Sequence, residues 1–333
     1  MAHRNVPAIK KATEAERPRE VMHAEALRIT SRSAPMSLFL SLRPSQWTKN
    51  LIVFAGLLFG QRGSRPAFVD PQAILLSLAA FGIFCALSGI VYLVNDVADR
   101  EKDRQHPLKR YRPIASGAVS PRTAIVTAIV LAAGALAASW TLSPSFAIVA
   151  VIYLALQVLY SGPLKHIVII DVLTISIGFV LRAVAGAVAI DVPINHWLLI
   201  LTVLLALFLA LSKRRHELVL LADGATSHRP ILEEYSPYLL DQMIAVVTAS
   251  TLISYIISTV SPETVAKYKT DYLGLTLVFP LYGIFRYLYL VHQKEGGGSP
   301  SDLLLNDRPL LACVALWAFA VAAIIYGTSL INA

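Results

Sequence analysis

The stretch "NDVADREKDRQHPLKRYRP", residues 95–113, follows directly on the apolar run "FGIFCALSGIVYLV", residues 81–94. It carries four Asp/Glu and six Lys/Arg. A chain this apolar leaves the bilayer here into a dense block of both charges. Hydrophobic residues make up 56% of the sequence and charged residues only 15%, whereas about a quarter of a soluble protein is charged. The composition therefore places the chain in a membrane.

Working outward, apolar runs near the length needed to cross a bilayer, about 20 residues, occur at 46–61, 72–95, 122–141, 145–161, 167–190, 196–212, 237–260, 271–291 and 309–330. They predict an all-α integral membrane protein of nine transmembrane helices. Residues 1–35 are polar and of mixed charge, with no apolar core for a signal peptide. They are expected to form a disordered cytoplasmic tail ahead of a single transmembrane domain at 36–333.

Orientation follows from where Lys and Arg fall in the short loops. The 95–113 block shares its side with Arg122, Lys165, Lys213, Arg214, Arg215, Arg229, Lys294 and Arg308, whereas the opposite loops hold only Arg62, Arg65, Lys267 and Lys269. The N-terminus and every charge-rich loop are expected to face the cytoplasm. Crowding of charge at one rim favours an enzyme with a cytoplasmic-facing active site over a transporter, which would place ionisable groups near the midplane. Only Asp171 and Arg182 lie deep within an apolar run. A membrane transporter or lipid carrier is the competing class.

Within the opening block, Asn95, Asp96, Asp99 and Asp103 fall at i, i+1, i+4 and i+8. At about 100° per residue they occupy an arc of roughly 100° along about 12 Å of helix. Carboxylates on one stripe repel unless a cation intervenes, and all-oxygen ligands suit a hard ion such as Mg²⁺ that also reaches a substrate phosphate. A solvated helix end laced with charge pairs is the plainer reading. Against it, Arg100 and Arg104 point well away from the stripe, and only Lys102 lies near it.

"NDVADREKD", 95–103, resembles the N-D-x-x-D-x-x-x-D motif of the UbiA superfamily of intramembrane prenyltransferases. The similarity runs from about residue 38 to the end, and it implies a UbiA-type helical bundle. Aromatic prenyltransferases of that superfamily carry a second Asp-rich motif after the sixth helix. Here the corresponding stretch is "LSKRRHELVLL", 211–221, which resembles the K-R-x-x-E-L element of the decaprenyl-phosphate phosphoribosyltransferase branch. Lys and Arg bind phosphate directly where an Asp motif would do so through metal. "RPSQWTKN", 43–50, "HPLKRYRPIASG", 106–117, "YSGPLKH", 160–166, and "LRAVAGAVA", 181–189, resemble further signatures of that branch.

The resemblance implies Asp96, Asp99 and Asp103 as catalytic residues, with Asn95 beside them as Mg²⁺ ligands. It implies Lys49, Asn50, Asn95, Lys109, Arg110, Arg112, Tyr160, Lys165, Arg182, Lys213 and Arg214 as substrate-binding residues. Taken singly, several have plainer readings: Trp47 with Lys49 as an interfacial anchor, the arginines as positive-inside anchors, Gly162 and Pro163 as a helix–helix turn, and Asp171 and Arg182 as structural contacts.

The implied reaction is transfer of phosphoribose from phosphoribosyl pyrophosphate (PRPP) to a polyprenyl (decaprenyl) phosphate in the bacterial cytoplasmic (inner) membrane. A UbiA-type aromatic prenyltransferase of quinone or haem synthesis is the alternative. The net charge of +8 is met by anionic lipid and phosphorylated substrates, so no nucleic acid partner is expected. Cys85 and Cys313 both sit in apolar runs and give no disulfide framework.

Overall fold

The computed structural model describes residues 33–63, 65–106, 109–222, 230–293, 303–304 and 306–331. The tail at 1–32, Arg229 and Lys294 lie outside them. Nearly every described residue is helical. A short α1 (Ala34–Ser41) leads through a 3₁₀ segment (Pro44–Phe54) into α2 (Ala55–Phe59). Then come α3 (Pro71–Ala98), α4 (Arg100–Gln105), α5 (Pro113–Ser116), α6 (Pro121–Leu142), α7 (Pro144–Ser161), α8 (Ile170–Ala189), α9 (His196–Ala222), α10 (Pro237–Val260), α11 (Pro262–Tyr268), α12 (Val278–Gln293) and α13 (Arg308–Ile331).

Ser-Pro dipeptides start four of these helices. Ser120, Ser143, Ser236 and Ser261 each accept a backbone N–H three residues on, at 3.0, 3.0, 3.1 and 3.4 Å. The serine oxygen satisfies an otherwise orphaned donor, and proline at the first helical position loses no hydrogen bond.

Among the described residues, eight helices are long and apolar enough to cross a membrane, against nine expected. The run at 46–61 accounts for the difference. It folds as a 3₁₀ segment followed by the five-residue α2 and so forms no single long apolar α-helix. Elsewhere, Val126, Ile129 and Val130 of α6 are well exposed. Apolar surface of this kind is what a lipid-facing helix presents.

The chain forms two units. In the first, residues 33–45 and 86–135, α1 packs on α5, and its end approaches α3 so closely that a Cβ on Gly89 would meet Leu42 at 2.9 Å. Gly117 ends α5 at φ 88°, a left-handed position that glycine takes without strain.

In the second unit, residues 46–85 and 136–331, α8 is the most buried span. Its Ala183, Ala185, Gly186, Ala187 and Ala189 face neighbours, and α2 lies directly on that small-residue surface. A Cβ on Gly186 would fall 1.8 Å from the Val53 carbonyl oxygen. The carbonyl ends of α2 would be orphaned in an apolar setting. Instead, Lys267 Nζ and Tyr268 OH donate to Phe59 O at 2.7 and 2.8 Å, and Tyr326 OH donates to Leu58 O at 2.7 Å. Phe208, Leu240, Ile244 and Tyr287 anchor a separate core among α9, α10 and α12.

Gly186→Ala should therefore destabilise by about 1–3 kcal/mol, the usual range for overpacking. Gly134→Ala in α6, where a Cβ meets nothing within 4 Å, should be neutral or slightly stabilising. Thermal unfolding in detergent measures both, and equal effects would contradict the close crossing.

Candidate active site

In the first unit the acidic stripe sits where α3 ends and α4 begins. Asp99 closes the junction at φ −91°, ψ 6°. Helical hydrogen bonds still run through it, from Asp99 N–H to Asn95 O and from Asp103 N–H to Asp99 O, both 2.8 Å. The stripe therefore keeps one face. Asp96 and Asp103 are buried, at 3% and 4% exposure. Arg112 joins them: its Nη1 donates to Asp96 Oδ1 at 3.1 Å and to Asp103 Oδ2 at 2.7 Å. Arg112 precedes Pro113 and is extended, φ −60° and ψ 143°, as a pre-proline residue prefers. Arg43 also donates to Asp96 Oδ1 and lies 4.6 Å from the Tyr92 ring centre.

Asp96, Asp103 and Arg112, expected at metal and at phosphate respectively, are thus paired with each other, and Arg43, to which the sequence assigned no role, joins them. The four-member ligand set is not gathered. No cluster of three or more His, Cys, Asp or Glu poised for a metal occurs among the described residues. The reason is electrostatic: the two buried carboxylates are held by guanidinium groups, which satisfy both charge and hydrogen bonding. The pair nevertheless fits a divalent cation, because oxygens from two carboxylates already converge on a single cationic nitrogen and are hard donors.

Of the basic run that follows, Arg110 turns onto Tyr111, donating to its hydroxyl at 2.6 Å, and Lys109 is half-buried. Burial and the neighbouring Lys109 ammonium hold His106 below its ordinary range. The imidazole is accordingly neutral, and Nδ1 accepts the Lys109 backbone N–H at 3.2 Å.

In the second unit a buried network surrounds Asp171. Arg214, 2% exposed, donates from Nε to Asp171 Oδ2 at 2.9 Å, from Nη1 to Glu217 Oε2 at 2.7 Å and from Nη2 to Tyr160 OH at 3.3 Å. Tyr235 OH donates to Asp171 Oδ1 at 2.9 Å and accepts the Ile169 N–H at 2.7 Å. Burial pushes that phenol up to about 12, so it stays a donor. Ile169 itself is held at φ 69°, an uncommon conformation for a β-branched residue.

The expectation that Lys213 and Arg214 act alike on phosphate is therefore divided. The Arg214 fork is taken by two carboxylates, while the Lys213 side chain is 39% exposed with Nζ 3.8 Å from Glu217. Lys165 and Lys49 are half-buried. Asn50 is fully buried and faces Arg182, whose Nε, Nη1 and Nη2 donate to Asn50 Oδ1, Gly178 O and Tyr153 OH at 2.7, 2.8 and 2.7 Å. Asp171 and Arg182 each bond to other elements and not to one another.

The UbiA prenyltransferase family matches residues 50–301. The chain belongs to this family. A decaprenyl-phosphate phosphoribosyltransferase from Mycobacterium tuberculosis is 34% identical over 291 residues, covering 86% of this chain and 94% of that protein. One of the same name from Mycolicibacterium smegmatis is 33% identical over 297 residues, covering 87% and 92%. Among solved structures, a UbiA homolog from Archaeoglobus fulgidus bound to GPP and Mg²⁺ superposes with a TM-score of 0.65 at 20% identity, covering 87% of this chain and 99% of that one. At that identity the likeness carries the UbiA fold alone.

Within this UbiA-family chain, Arg214→Met should cost about 3–5 kcal/mol, because it leaves Asp171 buried without its cation. Adding Asp171→Leu should recover most of the loss. Thermal unfolding tests this, and a double variant no more stable than the single would contradict a buried ion pair.

Proposed function

We propose that this protein transfers the 5-phosphoribosyl group of PRPP to a polyprenyl phosphate, with decaprenyl phosphate as the expected acceptor, releasing pyrophosphate. The observation that carries this reading is identity above 30% to decaprenyl-phosphate phosphoribosyltransferases over most of both chains. The basic "SKRRHEL" stretch at 212–218 supports it, since a donor with a diphosphate and a 5-phosphate, plus an anionic acceptor, calls for more cations than a prenyl diphosphate and a neutral aromatic ring.

In this proposal the C1–O bond to the diphosphate breaks with oxocarbenium character at C1. An oxygen of the lipid phosphate, already anionic, forms the new C1–O bond from the opposite face. No general base is required. Asp96 and Asp103 would hold the metal, with Asn95 and Asp99 at the rim of the same stripe. A bound magnesium ion supplies charge neutralisation for the departing diphosphate.

Arg112 orients the two carboxylates and offers its remaining N–H groups to phosphate oxygens. Lys109 and Arg110 add positive charge beside it. In the second unit, Lys49, Lys165 and Lys213 add positive charge for phosphate, the Lys213 side chain being 39% exposed. Arg214 with Tyr160, and Arg182 with Asn50, act on substrate through position, because their polar atoms are engaged within the protein. The N-terminus and this chemistry face the cytoplasm, on the side richest in Lys and Arg.

Purified protein with Mg²⁺ should convert PRPP and a polyprenyl monophosphate into lipid-linked phosphoribose detectable by mass spectrometry. It should form no prenylated ring from a polyprenyl diphosphate and 4-hydroxybenzoate. Prenylated aromatic in the second reaction would overturn the donor assignment. Asp96→Asn should lower kcat by about 10²- to 10³-fold, the scale of losing a preorganised charge stabiliser, while the protein still folds and inserts.

A further inference from the structure

Arg43 opens the "RPSQWTKN" run, and four observations of the first unit converge on it. Its guanidinium donates to Asp96 Oδ1, the same oxygen that Arg112 Nη1 reaches at 3.1 Å. Its side chain is 27% exposed where Asp96 is 3%, so the arginine lies between a buried carboxylate and the outside. Its backbone sits at φ 52° immediately before Pro44, a strained left-handed position of the kind that persists where surrounding structure holds it for a purpose. The Tyr92 ring beneath the guanidinium gives it a platform that does not depend on the carboxylate.

The charge count gives these observations a direction. Asp96, Asp103, Arg43 and Arg112 together carry two negative and two positive charges. A divalent cation on Asp96 and Asp103 competes for the oxygen that both arginines hold, and it turns a neutral cluster into one with two positive charges to spare. An anion such as a diphosphate would match that surplus. Arg112 has Asp103 as a second carboxylate partner, whereas Asp96 is the carboxylate that Arg43 holds.

We propose that Arg43 is a diphosphate-binding residue held in reserve on Asp96. It opposes metal binding while substrate is absent, and it transfers to the substrate's diphosphate once metal and substrate are both bound. The proposal rests on the reading above that Asp96 and Asp103 hold the metal.

Manganese binding to the full chain in detergent, followed by electron paramagnetic resonance, tests it without turnover. In Arg43→Met, manganese alone should bind several-fold more tightly than to the unaltered protein, because the competing cation is gone. Pyrophosphate should then bind the manganese-loaded variant at least about tenfold more weakly, the loss of one charge-assisted contact. Arg43→Lys should fall between the two in both titrations.

Opposite-signed changes are not what a loosened or misfolded site produces. Both affinities falling together, or neither moving, would overturn the proposal. If neither the unaltered protein nor Arg43→Met binds manganese with pyrophosphate present, or if Asp96→Asn binds it as well as the unaltered protein does, the metal reading fails and takes this proposal with it.

Discussion

Two carboxylates buried side by side must share a cation, and in this protein Arg112 supplies it. Its single Nη1 bridges Asp96 at the end of α3 and Asp103 on α4. That bridge spans the helix junction at Asp99 and fixes the approach of the loop between α4 and α5, since Arg112 is also the extended residue that starts α5. Without a cation the pair would repel and desolvation would favour protonation. With one, the same geometry becomes a preformed place for positive charge, which is the property a diphosphate-handling site requires.

The second unit solves a related problem differently. Its buried charges are engaged internally: Arg214 with Asp171 and Glu217, and Arg182 with Asn50, Tyr153 and a backbone carbonyl. Such networks are weak sources of net stability and strong sources of definite geometry when every donor is matched. Arg182 contributes a further constraint, because it ties the irregular 3₁₀ segment to α7 and α8 where the close Gly186 crossing lies. Polar side chains thus hold helices in register.

Much of this was legible in the sequence. Periodicity and apolar length gave the long spans, and the i, i+4, i+8 spacing placed Asp96, Asp99 and Asp103 on one stripe, of which Asp96 and Asp103 meet at Arg112. The segment at 46–61 is not among the eight long apolar helices because it folds as a 3₁₀ segment followed by the short α2, a break that hydropathy does not register. The roles within "KRRHE" were beyond sequence reading, since burial separates Lys213 from Arg214 although both are cations in one loop. Tyr235 joined the Asp171 network without a local signal, whereas Glu217 had one in the K-R-x-x-E-L element, three residues from Arg214. Arg43 had one, its place in a recognised run, but its partner lies 53 residues away.

The measurement that tests the central claim most directly is a structure of the protein with manganese and PRPP bound, with the metal located by anomalous scattering. The account predicts a metal peak in contact with both Asp96 and Asp103, and Arg43 and Arg112 turned from those carboxylates onto diphosphate oxygens. A metal peak away from both aspartates, or arginines still paired to Asp96 with substrate in place, would contradict it.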